Sequence, residues 1–370
     1  MMSWIVLMTV AVGLGIGQGP GATSPDAAVT VLRAARMLDV KSGRYVENAA
    51  VLLRGRRIEA SGPAARLRVP AGATTVDLGD ATLLPGLIDA HVHLAWAPPS
   101  NATPATSLAG SEEARATLLA GFTTVRNPGS TGRADILLRD AIADGRLPGP
   151  RILAAGPALG VKGGVCDRVF AGEGVAIGPT GFAAKVREIV ADGAEVVKIC
   201  TGGGVLASPE DVDTRELSDP EIRAVVAEAH RLGRKVAAHA QGPAAIAAAV
   251  RGGVDSIEHG ALIDSVTAQL LRERRVYLVP TLYRLEWSVE SAMRAGAARA
   301  DIERLQKSKA LAAADLLGWS DRIGSLEPGH LADIIAVRGD PLADVGMLEQ
   351  PLFVMKDGRV YLSPSGPVQR

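Results

Sequence analysis

The chain has 370 residues, 47% of them hydrophobic and only 3% aromatic, so its core is aliphatic and its apolar content excludes a disordered chain. That length suits about two domains, or one large α/β barrel with an appendage. Forty basic and forty acidic residues cancel, which argues against an electrostatic nucleic-acid binder, and two cysteines, Cys166 and Cys200, are too few for a disulfide framework.

In chain order, Met1 to Gly17 is apolar and uncharged, and a small, turn-forming run follows it to Pro25. This resembles a signal peptide over 1–24 that lacks the usual positive start, and it is short for a spanning helix of about 20 residues. Cleavage would make the chain exported, to the periplasm or outside; without it the chain is expected in the cytoplasm. No later stretch is long and apolar enough to span a membrane.

From Val29 to Thr82, short strands are broken by Gly and Pro. From Leu83 onward, apolar strand-like runs alternate with Ala-rich helical stretches, the pattern of repeated βα units on a parallel sheet. Seven such strands are expected: Leu83 to Leu94, FTTVRN ending near Asn127, one starting at Arg151, and others from Ala194, Lys235, Val254 and Val276. Asp219-Pro220 has the form of a helix N-cap followed by Pro at the first helical position. Glu286 to Trp319 reads as helix, with no eighth strand, and short strands return from Ile323. The two ends thus read as halves of one β-sandwich, 28–82 with 327–364, flanking a barrel at 83–326.

Four of the six histidines fall at the carboxyl ends of expected strands. His91 and His93, two apart, share one face of a strand; His239 ends the fifth strand and His259 the sixth. Carboxyl ends of barrel strands are where active sites form, and converging neutral imidazoles suit Zn²⁺. Each signal alone is more often structural; the joint placement is not easily accidental. His230 in a helix and His330 in a turn read as structural. Lys198, inside the apolar run VVKIC, would lose hydration and titrate low; a neutral amine can add carbon dioxide to become a carboxylate that bridges two metals. Taken alone it would read as a lysine snorkelling to the rim.

The stretches LLPGLIDAHVHL, AGFTTVRN, VVKICTGGGVLAS, EAHRLGRKVAAHA, GVDSIEHGALID and DRIGSLEPGHLADIIAV with VMKDGRV resemble the amidohydrolase superfamily of metal-dependent hydrolases, in its prolidase-like and imidazolonepropionase-like branch. The resemblance covers nearly all of Val29 to Leu362. It implies a TIM-like (β/α)8 barrel and two divalent metal ions, zinc being expected. His91 and His93 would hold one ion and His239 and His259 the other, with carboxylated Lys198 between them. Gly202 and Gly203 would border the substrate, and Tyr283 would donate to the developing oxyanion. The implied reaction is hydrolysis of an amide C–N bond in a dipeptide of Xaa-Pro type or an N-acyl amino acid.

The chain departs from the family at one point. The aspartate that ends the eighth strand, which binds metal and shuttles the proton, has no counterpart. Asp301 and Asp315 lie in helical sequence, Asp321 in a turn, and about one βα unit is missing near 307–313. Glu286 is the nearest substitute but reads as a solvated helix residue. One metal or none, and a catalytically impaired remnant, are therefore the alternative expectation. An unclosed barrel also exposes sheet edges, so either another segment fills the gap or the chain is less stable and prone to associate, as a homo-oligomer. Asn127, where the family carries an aspartate, and Gln241, where an aromatic or His is common, are expected to alter substrate contacts. A sugar- or nucleotide-binding barrel is disfavoured, since Gly202 to Gly204 lacks phosphate-cradling spacing.

Overall fold

Pleated strands at the two ends of the chain and fully covered apolar strands between them set the architecture. The structure, a computed structural model, describes residues 29–95, 106–203, 213–281 and 313–368. The signal-like segment, Tyr283, Glu286 and Asp301 lie outside these residues. Five strands come first: β1 (Val29–Asp39), β2 (Arg44–Arg54), β3 (Arg57–Pro63), β4 (Thr74–Asp77) and β5 (Ala81–Pro85). The central part begins with β6 (Leu87–Asp89), α1 (Thr106–Leu119), β7 (Phe122–Asn127), α2 (Ala134–Ala143) and β8 (Arg151–Ala154). Next come α3 (Val165–Val169), α4 (Gly178–Ala191), β9 (Val196–Cys200), α5 (Asp219–Arg231) and β10 (Lys235–Ala240). The pattern continues with α6 (Pro243–Gly252), β11 (Ser256–His259), α7 (Ser265–Arg274) and β12 (Tyr277–Val279). The last strands are β13 (Ile334–Arg338), β14 (Phe353–Lys356), β15 (Arg359–Ser363) and β16 (Gly366–Pro367).

Strands β6 to β8 pair in parallel, as do β9 to β12. Backbone bonds join the two runs: Glu195 donates to the Ala154 carbonyl at 2.8 Å, and Leu159 to that of Lys198 at 2.8 Å. All five residues of β9 are buried, which a parallel strand covered on both faces requires. Helices α4, α5 and α6 cover its outer side through Phe182, Val186, Ile222, Val225 and Ile246. Among the described residues no pairing links β12 back to β6, so the curve is open there. A helical turn at 313–317 brings Leu316 and Leu317 into one apolar cluster with Ile88 of β6, Leu153, Val196, Ala237, and Tyr277 and Val279 of β12. Residues on both open edges therefore share a core.

The end strands form one nine-stranded sheet, in which β13 pairs antiparallel with β5 and so ties the carboxyl end to the amino end. One of its faces buries Leu32, Val51, Leu53, Leu83, Ile334 and Phe353 together. Arg151 at the foot of β8 bonds Asp333 at 2.7 Å and Asp357 at 2.9 Å, fastening this sheet to the barrel. One detail corrects the sequence reading. The N-cap of α5 is Ser218, not Asp219, because Ser218 and Glu221 form a capping box and the Ser218 amide donates to Glu221 Oε2 at 2.9 Å.

Candidate active site

Histidines that follow or end parallel strands gather where the carboxyl ends of those strands converge. His91 and His93 continue the chain beyond β6 in extended form, since Val92 donates to the Arg126 carbonyl at 3.0 Å and Leu94 to Asn127 Oδ1 at 2.8 Å. His239 lies near the end of β10, and His259 is the last residue of β11. Ring centroids are 5.2 Å apart for His91 and His93, 4.8 Å for His91 and His259, and 4.7 Å for His239 and His259. His259 has φ of 71°, a left-handed conformation uncommon outside glycine, and Gly260 follows at 61°. This turns the strand end sharply. A Cβ on Gly260 would lie 2.7 Å from Leu278 Cδ1, so a side chain there would have to displace that leucine as well as adopt a left-handed φ.

Each ring is held by one nitrogen. Nδ1 of His91 lies 2.6 Å from Glu258 Oε2, Nδ1 of His93 lies 2.8 Å from the Gly129 carbonyl, and Nδ1 of His259 lies 2.8 Å from Thr281 Oγ1. His239 is held the other way round, with Nε2 3.3 Å from the Gly203 carbonyl. A carbonyl or carboxylate only accepts, so His91 and His93 donate through Nδ1, and His91 keeps its Nε2 lone pair for another partner. Nε2 of His91 is buried and has no partner among the described residues.

Burial, with the Lys198 charge beside it, pushes His91 down to about 4, against the pull of Glu258. Burial and Lys198 take His239 down to about 3. His259 is well below its ordinary value through burial and the neighbouring His239. Lys198 is 2% exposed, and burial lowers its amine to about 8, with Glu258 opposing. For Glu258 burial opposes ionisation, but Arg126 and His91 outweigh it and hold the carboxyl well below the usual range. Near neutral pH His91, His239 and His259 are thus neutral imidazoles over a buried Arg126–Glu258 pair.

The remaining candidates are placed as follows. Gly202 is packed backbone to backbone, since a Cβ there would lie 2.5 Å from Ala245 Cβ and 2.8 Å from the Thr214 carbonyl. Gly203 presents its carbonyl to His239. Asn127 and Gln241 are buried and tie loops together: Asn127 binds Leu94, Gly129 and Asp135, and Gln241 accepts from Ala261 at 3.3 Å. His230 pairs with Asp255, and His330 lies beside the Ser320 carbonyl, neither near the four rings. Asp315 binds the Tyr277 hydroxyl, and its carbonyl accepts from Lys235 at 2.9 Å. Both partners begin strands, so Asp315 is at the opposite end of the barrel. Asp321 pairs with Arg322 in an exposed turn.

Sequence reasoning missed Arg126, Glu258 and the disulfide Cys166–Cys200. The first two carried a usable signal: a charge inside an apolar parallel strand, the same one that singled out Lys198. The bridge carried none, because its cysteines are 34 residues apart on different elements.

Among the described residues no group of three or more His, Cys, Asp or Glu side chains is arranged to hold a metal ion as it stands. The donors nevertheless suit one. The orphaned Nε2 of His91 is a buried lone pair on a ring whose centroid is 5.2 Å from that of His93 and 4.8 Å from that of His259, and anchoring of Nδ1 by a carboxylate or carbonyl is how metal-binding histidines are oriented.

Imidazoles and an amine gathered at the carboxyl ends of parallel barrel strands make the kind of centre that barrel hydrolases use. Residues 82–312 match the amidohydrolase family, and the chain belongs to it. The chain is similar to a Xaa-Pro dipeptidase whose crystal structure has methionine bound in the active site. They share 31% identity over 91% of this chain and 100% of that one, with a TM-score of 0.79. A prolidase complexed with N-methylphosphonate-L-proline matches at 28% identity over 91% and 100% of the two chains, with a TM-score of 0.78. Ochratoxinase from Aspergillus niger is 25% identical over 439 residues, covering 94% of this chain and 89% of that protein. The fold is accordingly a TIM-like barrel, and the protein is a hydrolase acting on carbon–nitrogen bonds, in a family that generally binds divalent metals. An impaired remnant finds no support in these relationships.

Proposed function

We propose that the protein cleaves the amide C–N bond of a small substrate, a dipeptide of Xaa-Pro type or an N-acyl amino acid, with divalent metal ions, zinc being expected. The observation that carries this reading is the cluster of four imidazoles, with adjacent ring centroids 4.7–5.2 Å apart, over one buried amine. His91 and His93 would hold one ion and His239 and His259 the other. When bound, such ions polarise the scissile carbonyl and make water nucleophilic near pH 7.

The chain's own residues do the rest. Lys198 is neutral over part of its population near pH 8, so its nitrogen lone pair can add to carbon dioxide, releasing a proton and leaving a carboxylate between the two histidine pairs. Glu258 holds His91 by Nδ1, and Thr281 holds His259 by Nδ1. Phe170 lies 5.4 Å from the His93 ring and keeps water from that side. The similarity to a Xaa-Pro dipeptidase and a prolidase supports the substrate class.

A panel of Xaa-Pro dipeptides and N-acyl amino acids tests the reading, each assayed with zinc, manganese or cobalt and with a chelator. Metal-dependent release of the free amino acid from at least one class is expected. Absence of turnover on both classes with all three metals would refute it.

A further inference from the structure

Searching beyond the four rings leads to the polar network underneath them. Arg126 of β7 is 2% exposed and Glu258 of β11 fully buried. Glu258 Oε1 accepts from Arg126 Nη2 at 2.7 Å and from the Ser256 hydroxyl at 2.6 Å; Oε2 accepts from His91 Nδ1 at 2.6 Å. Arg126 Nη1 donates to Ser256 Oγ at 3.0 Å, and Nε donates to the Ala90 carbonyl at 2.6 Å. The Arg126 carbonyl accepts from the Val92 amide at 3.0 Å. Arg126 therefore grips the residue on each side of His91, while its carboxylate partner grips the ring between them.

We infer that Arg126 and Glu258 are positioning residues that lock His91 as the Nδ1–H tautomer, with Nε2 unprotonated and turned to the neighbouring imidazoles. The inference rests on the metal-dependent reading above. Three features separate it from simple packing. A buried Arg–Glu pair is a costly way to fill space, since an apolar pair of similar volume is often as stable. A carboxylate cannot donate, so it dictates which ring nitrogen carries the proton, which no apolar contact could do. And Nε2 of His91 is the one nitrogen of the network left with no partner among the described residues. The clamp is built from β7, β11 and the chain beyond β6. It thus orients His91 with nothing supplied by an eighth strand.

Glu258→Gln is the diagnostic change, because an amide of the same shape can donate to Nδ1 and drive the proton to Nε2. Two readouts are taken at pH 7.5 on the full chain: the His91 tautomer in metal-free, 15N-histidine-labelled protein, assigned with His91→Gln, and zinc affinity by competition with a chromophoric chelator. In the wild type we expect Nδ1 protonated and Nε2 bare. In Glu258→Gln we expect protonation of Nε2 and zinc binding weaker by about 10–100-fold, with Arg126→Lys closer to the wild type. Protonated Nε2 in the wild type would overturn the inference, as would a folded Glu258→Gln that binds zinc within twofold of it. If that variant does not fold, the wild-type tautomer decides alone. Failure of the wild type to bind zinc would instead sink the metal-dependent function while the tautomer still judged the clamp.

Discussion

His259 shows how much one residue can be asked to bear. It ends a strand, sits in a left-handed conformation, bonds Thr281 and stacks near two other imidazoles. That arrangement is stable only while the rings stay neutral. His91, His239 and His259 all have folded values below the ordinary 6.5. Between those values and about 6.5 the unfolded chain binds more protons than the folded one. Stability is therefore intact above about pH 6.5 and drains as pH falls toward 4. The metal-free protein should lose several kcal/mol over that interval, on the order of 2–3 kcal/mol for His91 alone. Urea midpoints at pH 7.5 and 5.0 measure it. His91→Gln should flatten the slope, and an unchanged midpoint in the wild type would refute the account. The histidines and Lys198 were readable from the sequence because a polar residue in an apolar parallel strand is conspicuous. Their tautomers and their Arg126–Glu258 support were not, since hydrogen-bond partners come from strands more than a hundred residues apart, as Arg126 and Glu258 are.

At the level of elements, the strands were the readable part. Each of β6 to β12 lies in a run of apolar residues long enough for a strand, and Ala-rich helical stretches lie between several of them. Boundaries were less so: Ser218 caps α5 because its partner Glu221 is three residues on, a relation local enough to be seen but read one residue late. The loop after β8 was opaque. There, Cys166 of α3 is bonded to Cys200 at the end of β9, two residues past Lys198, and the same segment carries Phe170 to His93. The bridge closes a 34-residue loop, so removing it with Cys166→Ala and Cys200→Ala should cost roughly 2–4 kcal/mol, read as a lower denaturant midpoint. Such bridges persist in oxidising compartments, which supports the proposal of export. Protein recovered from its native host should then show no titratable thiol when denatured; two thiols would contradict both.

For the molecule as a whole, the decisive joint is between the terminal sheet and the barrel. Arg151 is enclosed between Asp333, Asp357 and the Thr124 hydroxyl, and beside it Lys356 donates to the Gly149 carbonyl at 2.9 Å. Removing one member strands buried charge, so Arg151→Ala should destabilise the protein by about 3–5 kcal/mol. Calorimetry will show whether the melting temperature falls accordingly; a shift of under a degree would mean the joint is held by the apolar faces alone. The pairing of the two chain ends could be anticipated from strand-like texture at both termini, and the open edge between β12 and β6 from the want of an eighth strand-like run, but the helical turn at 313–317 sharing a core with both sides of that edge could not. A helical turn of five residues is too short to leave a periodic pattern to read.

The partnership of β5 with β13 also has a temporal side. Ile334 leaves the ribosome 249 residues after its partner Pro85, so at about 5–20 residues per second β5 waits some tens of seconds with one row of amides and carbonyls unmet. During biosynthesis that row, which includes Leu83 and Leu84, stays bare and open to other chains until β13 is translated and seals it.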